Sequence, residues 1–155
     1  MQENSLRIRV AAAIAATPEQ VWRVLIDVPR YRRWHPTLEL LDGPPAGHLA
    51  PGAVLRWRTN QGTPTEREFD VTVTEVTEPL TLAWEGGDPG IFFGRHSFTV
   101  VPEGDGTRLV DEEVFSGAMA QTLLAEHRTA LEAEYHAGAV ALKAVVEQQN
   151  PQRTI

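Results

Sequence analysis

The sequence predicts an α+β fold: a curved antiparallel sheet of six or seven strands wrapped round one long C-terminal helix, with two short helices after the first strand. Three observations carry this. Segments of alternating apolar and polar residues recur between residues 6 and 115, each with one dry and one wet face, as antiparallel sheets prefer. A capped helical segment interrupts them once, near residue 17. From about Met119 to Gln149 there is no proline and one glycine, Gly138. A sheet cannot leave its apolar face wet, and this last helix, about 45 Å long, is the only element able to cover it.

Taken in order, Leu6, Ile8 and Val10 alternate with Arg7, Arg9 and Ala11 and form a half-buried strand ending near Ala13. Thr17 N-caps a helix, Pro18 suits its first position, and Gln20 closes a capping box back onto Thr17. Pro29 keeps that helix short, and a second short turn ends at Trp34-His35-Pro36. A loop runs from Asp42 to Gly47, and Pro51-Gly52 turns into the next strand. Leu55, Trp57 and Thr59 then share a face, as do Phe69, Val71 and Val73, and Leu80, Leu82 and Trp84; Gln61-Gly62-Thr63-Pro64 and Glu78-Pro79 are the turns between them. Gly86 to Gly90 reads as a longer loop. Ile91 to Val101 is the fifth strand, with Gly94, His96, Phe98 and Val100 on one parity. Glu103-Gly104-Asp105-Gly106 is a hairpin turn, Thr107 to Phe115 is the sixth strand, and Gly117 breaks it. On the long helix Leu123, Leu124, Leu131, Leu142, Val145 and Val146 form one face, opposite Arg128, Glu132, His136 and Lys143; Asn150-Pro151 ends it.

The 155 residues suit one domain, and there are no internal repeats. A net charge of −7 without a basic cluster argues against a nucleic-acid surface and against an anionic membrane. The absence of cysteine excludes disulfides and thiolate chemistry. No signal peptide is legible in Met1 to Ser5, and no apolar run approaches the roughly 20 residues needed to span a bilayer, so a cytoplasmic protein is expected, monomeric or homodimeric.

The run from Thr17 to Pro29, followed by Tyr31 and Trp34-His35-Pro36 and set in this order of elements, resembles the START-like (SRPBCC) superfamily. The resemblance covers about residues 5–148 and implies a helix-grip fold, one domain over 1–155. It also implies a cavity between sheet and helix that holds a hydrophobic small molecule, with no cofactor.

Polar residues on inward faces are the informative ones. His96 shares the parity of Phe98 and Val100 and should look into the cavity; the plainer reading is a histidine satisfied by one hydrogen bond. The sixth strand has two possible parities. Either Asp111 and Glu113 turn inward with Leu109 and Phe115, or Glu112 does with Val110 and Val114. The segments Pro89 to Phe98, Thr107-Arg108-Leu109 and Glu113 to Gly117 resemble a START-like subgroup of polyketide cyclases and dehydrases, and that resemblance favours the first parity, with a His and a Glu on neighbouring strands. Counted outward from Asp105, residues 96 and 113 lie at nearly equal distances, so they fit as cross-strand neighbours. A carboxylate there would raise the histidine's pKa and orient it, or the two would form a structural ion pair.

His127 lies one turn from Leu123 and from Leu131, in the middle of the apolar stripe, with Glu134 two turns on and Tyr135 at the stripe's edge. All three are candidate ligand contacts, and the plainer reading is core groups satisfied locally. Gly138 either makes room for a ligand or permits close packing. Trp34, Trp57, Phe69, Trp84, Phe98, Phe115 and Leu131 are the expected apolar lining, with Tyr31 and His35 near the mouth. A serine-hydrolase elbow and a phosphate loop are absent. No tight spacing of His96, Glu113 and His127 supports a metal site.

Three functions follow from this reading. One is a carrier or sensor of a hydrophobic, cyclic or aromatic molecule. Another is a polyketide cyclase or dehydratase in which His96 and Glu113 form the acid–base pair for aldol closure and loss of water. The third is a co-chaperone resembling the activator of a chaperone ATPase.

Overall fold

A computed structural model describes residues 6–149. Strand β1 (Arg7–Ile14) is followed by helix α1 (Pro18–Leu25) and a 3-10 turn (Val28–Arg33). Strands β2 (Leu38–Asp42), β3 (Val54–Thr59), β4 (Arg67–Thr77), β5 (Thr81–Asp88), β6 (Phe92–Glu103) and β7 (Gly106–Ser116) come next, then helix α2 (Ala120–Gln148). The seven strands form one antiparallel sheet in the order β1-β7-β6-β5-β4-β3-β2.

The capping box forms as its residues require. Thr17 Oγ1 accepts from the Gln20 backbone N–H at 3.2 Å, and Gln20 Oε1 accepts from the Thr17 N–H at 2.8 Å. This start turns Val21, Trp22, Val24 and Leu25 into the core. The 3-10 turn then folds back. The Tyr31 hydroxyl donates to the Leu25 carbonyl at 2.6 Å, and the ring is buried rather than lying in an exposed loop.

Three differences from the sequence reading matter for the site. The first is β2, which was not assigned individually. Leu38 and Leu40 do alternate with Glu39, but a register shift after Leu40 turns Leu41 outward and blurs the pattern. The second is the segment at Gly86 and Gly87, which continues β5 opposite Gly94 and Phe93 instead of forming a loop. A Cβ on Gly86 would meet the Asp70 carbonyl at 2.9 Å, so the missing side chain permits that approach. Leu80, by contrast, sits in the turn before β5 and is exposed.

The third concerns α2. Its buried residues are Ala120, Leu124, Gly138, Ala139, Leu142 and Val146, whereas Leu123, Leu131 and Val145 are only half-buried. Between Leu124 and Gly138 no residue of α2 is fully buried. The helix runs along β1, covering that edge of the sheet. It is tied there by Arg128, which donates to the Arg7 carbonyl at 2.8 Å, and by Lys143, which donates to the Ala13 carbonyl at 2.8 Å. The expected stop at Asn150-Pro151 lies outside the described residues.

Candidate functional site

Where α2 stands off the sheet, a cavity of about 760 Å³ opens between them. Trp57, Phe69, Trp84, Phe98, Leu109 and Phe115 line it from the strands; Leu131, Tyr135, Ala139 and Leu142 line it from α2; Trp34 and His35 line it from the chain after the 3-10 turn. Its exposed lining residues include Glu66, Arg67, His127 and Ala130, which mark a mouth between the β3–β4 hairpin and the middle of α2. Asn60 Nδ2 crosses this mouth and donates to Glu134 Oε1 at 3.3 Å.

One polar cluster interrupts the apolar wall. Strand alternation brings Asp111 and Glu113 inward with Leu109 and Phe115, while Glu112 points the other way and pairs with Arg7 at 3.4 Å. His96 is the direct cross-strand partner of Glu113, and Asp111 is that of Phe98. His96 Nε2 donates to Asp111 Oδ1 at 2.5 Å. Its Nδ1 stands 3.6 Å from Glu113 Oε1, an ion-pair separation rather than a hydrogen bond. The Tyr135 hydroxyl, reaching down from α2, donates to Glu113 Oε1. Gly94 leaves the space that the Glu113 carboxylate fills, since a Cβ there would collide with it. The His96 ring stacks between Phe98, at 4.6 Å between centroids, and Tyr135, at 5.0 Å.

Burial alone would push the His96 pKa down. The charge and hydrogen bond of Asp111 and the charge of Glu113 outweigh it and hold the imidazolium up to about 9. Tyr135 is pushed well above the ordinary phenol range by burial first and then by Glu113, so it remains a donor. The cluster can therefore offer a charged N–H donor, His96 Nδ1, beside a carboxylate acceptor in apolar surroundings.

His35 behaves in the opposite way. Its Nδ1 accepts the backbone N–H groups of Thr37 at 3.2 Å and Leu38 at 3.1 Å, which fixes the proton on Nε2. Burial and then the charge of His96 lower its pKa to about 4, so it is a neutral donor. A Cβ at Gly138 would stand 3.0 Å from His35 Nε2, so this glycine makes room for the imidazole.

Tyr31, Trp34, Trp57, Trp84 and Phe98 form one connected wall. Tyr31 packs on Trp34 and Trp57, Trp57 on Trp84, and Trp84 on Phe98, with centroids 4.8–5.6 Å apart. Phe115 stacks on Phe92 at 5.1 Å. His127 lines the cavity at its rim rather than in a packed core, its side chain 60% exposed and 3.6 Å from Glu126, because α2 stands off the sheet here. It does not join His96 and Glu113.

Sequence reasoning singled out neither Arg67 nor Asn60. Arg67 lies over the Phe69 ring at 4.8 Å from its centroid, and both residues flank a hairpin whose place at the mouth is set by tertiary packing. The Asp111–His96 bond was also missed as a pair. The parity argument put both residues inward, but cross-strand counting pointed to Glu113.

A family model described as polyketide cyclase / dehydrase and lipid transport matches residues 5–147. Among solved structures, a protein from Nitrosomonas europaea superposes with a TM-score of 0.71 at 16% identity, covering 94% of this chain and 97% of that one. An aromatase/cyclase from Streptomyces sp. R1128 does so with a TM-score of 0.69 at 17% identity, covering 92% and 94%. The di-domain aromatase/cyclase of the steffimycin biosynthetic pathway gives a TM-score of 0.74 at 10% identity, with 97% of this chain covering 54% of that one. At these identities the structural likeness is one of fold. No curated protein sequence matches.

Proposed function

From the premise that this chain belongs to the polyketide cyclase / dehydrase and lipid transport family, we propose that it binds a hydrophobic, ring-bearing small molecule between its sheet and α2. The observation that carries this reading is the cavity itself: about 760 Å³, walled by a connected run of aromatic rings, with one polar cluster to orient what enters. Flat apolar ligands are matched by such walls. A solid core would need neither the free space nor a charged group in it. Titration with the neutral dye N-phenyl-naphthylamine tests this. Saturable, one-to-one fluorescence enhancement is expected, and a Leu131→Trp variant that keeps its circular dichroism should lose most of it. Absence of saturable binding to the wild type would overturn the proposal.

A second reading, catalysis of an aldol closure and dehydration, is favoured by one specific arrangement. His96 Nδ1 and Glu113 Oε1 present a donor and an acceptor 3.6 Å apart inside the same cavity. In that role His96 would protonate the departing hydroxide and Glu113 would take the proton α to the carbonyl. With a poly-β-keto test substrate, His96→Gln should lower turnover by about 10²- to 10⁴-fold while dye binding is kept. If wild type and variant yield no cyclised product, the protein is a carrier.

A further inference from the structure

The charges that face the cavity do not balance. In its wall one imidazolium, His96, stands against the negative charges of Asp111 and Glu113. Asp111 is almost wholly buried, and only its Oδ1 has a partner; Oδ2 receives no hydrogen bond from the described residues. Glu113 Oε1 takes the Tyr135 hydroxyl, and Oε2 lies over the bare Gly94 without a donor. The other polar groups of the wall do not correct the imbalance. His35 is a neutral donor, and the buried Trp57 indole N–H is neutral too. At the mouth Glu66 and Glu134 add negative charge and Arg67 adds one positive charge, while Asp70 is matched by Arg56 at 3.0 Å. Two further arginines of the strands lie on the outer face of the sheet, Arg58 with Glu39 and Arg95 with Glu75 and Glu85, so they are engaged there.

A surplus negative charge in apolar surroundings is costly unless a counter-charge arrives. The rings of Phe98 and Tyr135 stack on His96 and that of Trp84 packs tilted against it, so the two carboxylates stand in an aromatic wall with little water to solvate them. We propose that the ligand of this cavity is a hydrophobic amine: an aromatic or cyclic body carrying one ammonium group, whose N–H donors meet Glu113 Oε2 and Asp111 Oδ2. This rests on the reading of the cavity as a hydrophobic binding site and adds the charge class of what it takes.

The test is a calorimetric titration of the wild type at neutral pH with three matched probes: naphthylethylamine, naphthylethanol and naphthylacetate. The amine should bind about tenfold more tightly than the alcohol, and the acetate should bind weakest. Glu113→Gln should bring amine and alcohol close together. The preference should persist at high ionic strength, because a buried charge is little screened. An alcohol that binds as well as the amine overturns the inference and leaves the hydrophobic site standing. A preference that vanishes in salt overturns it as well, since rim charges would then be its source. Tightest binding by the acetate overturns it in favour of an anion at Arg67. Failure of all three probes removes the hydrophobic-site reading itself. The wild-type comparison decides alone if the variant does not fold.

Discussion

From Gly138 to Val146, α2 lies down on the sheet and α1, with Ala139, Leu142 and Val146 buried in the main core. From Ala125 to Ala137 the same helix buries no residue completely and bounds an open cavity. The fastenings differ in the same sense. The packed half is clamped at the end of β1, where Lys143 and Glu147 bridge to the Ala13 carbonyl and the Ala15 N–H, each at 2.8 Å. The standing half is held by the Arg128 bond to Arg7, the Tyr135 bond to Glu113 and the single Asn60–Glu134 bond across the mouth. One half of the helix stabilises the fold, and the other gives up burial and leaves the cavity open.

The sharpest way to break that comparison is truncation on each side of Gly138. Leu142→Ala should destabilise by about 2–5 kcal/mol, as buried leucines do. Leu131→Ala only widens an existing space and should cost under about 1 kcal/mol. Chemical denaturation of both variants checks this, and equal losses would mean that the two halves pack alike.

The pH dependence of stability separates the two histidines next. His96 titrates near 9 in the fold against 6.5 unperturbed, so its contribution is complete below about pH 6.5 and is lost as pH rises through about 9. It is on the order of 3 kcal/mol. His35 titrates near 4 against 6.5, so its contribution is complete above about pH 6.5 and is lost as pH falls through about 4. Melting curves should show His96→Gln flattening the alkaline loss and His35→Gln flattening part of the acid loss. A loss on the alkaline side that His96→Gln leaves unchanged would contradict the assignment.

The junction between the halves is the third point. Gly138→Ala should destabilise by about 1 kcal/mol, because the imidazole of His35, held by two backbone N–H groups, cannot yield to the new methyl. In a His35→Ala background the same change should stabilise by roughly as much, through helix propensity. The smallest effect is expected away from both halves. Arg56→Ala, on the outer face beside Glu68 and Asp70, should leave Tm unchanged within error.

What the sequence made legible follows from how local each signal is. The capping box at Thr17 and the alternations in β1, β3, β4, β6 and β7 are set by neighbours two to four residues apart, and they gave the order of elements and the inward parity of His96, while alternation left two parities open for Asp111 and Glu113 and the family resemblance favoured the inward one. β2 escaped because its bulge at Leu41 breaks a short pattern. The rim position of His127 escaped because a stripe on a helix says which residues share a face, not how far the helix stands from the sheet. The Asp111–His96 bond escaped because it is a diagonal contact between strands, and register alone points to the direct neighbour, Glu113. The role of Gly138 in seating His35 joins residues far apart in sequence and has no local signature.

Native mass spectrometry of the freshly purified protein tests the central claim most directly. A non-covalent adduct of one small molecule per chain is expected, released on denaturation and absent from Leu131→Trp. Protein that carries no adduct and takes up neither the neutral dye nor any naphthyl probe would contradict it.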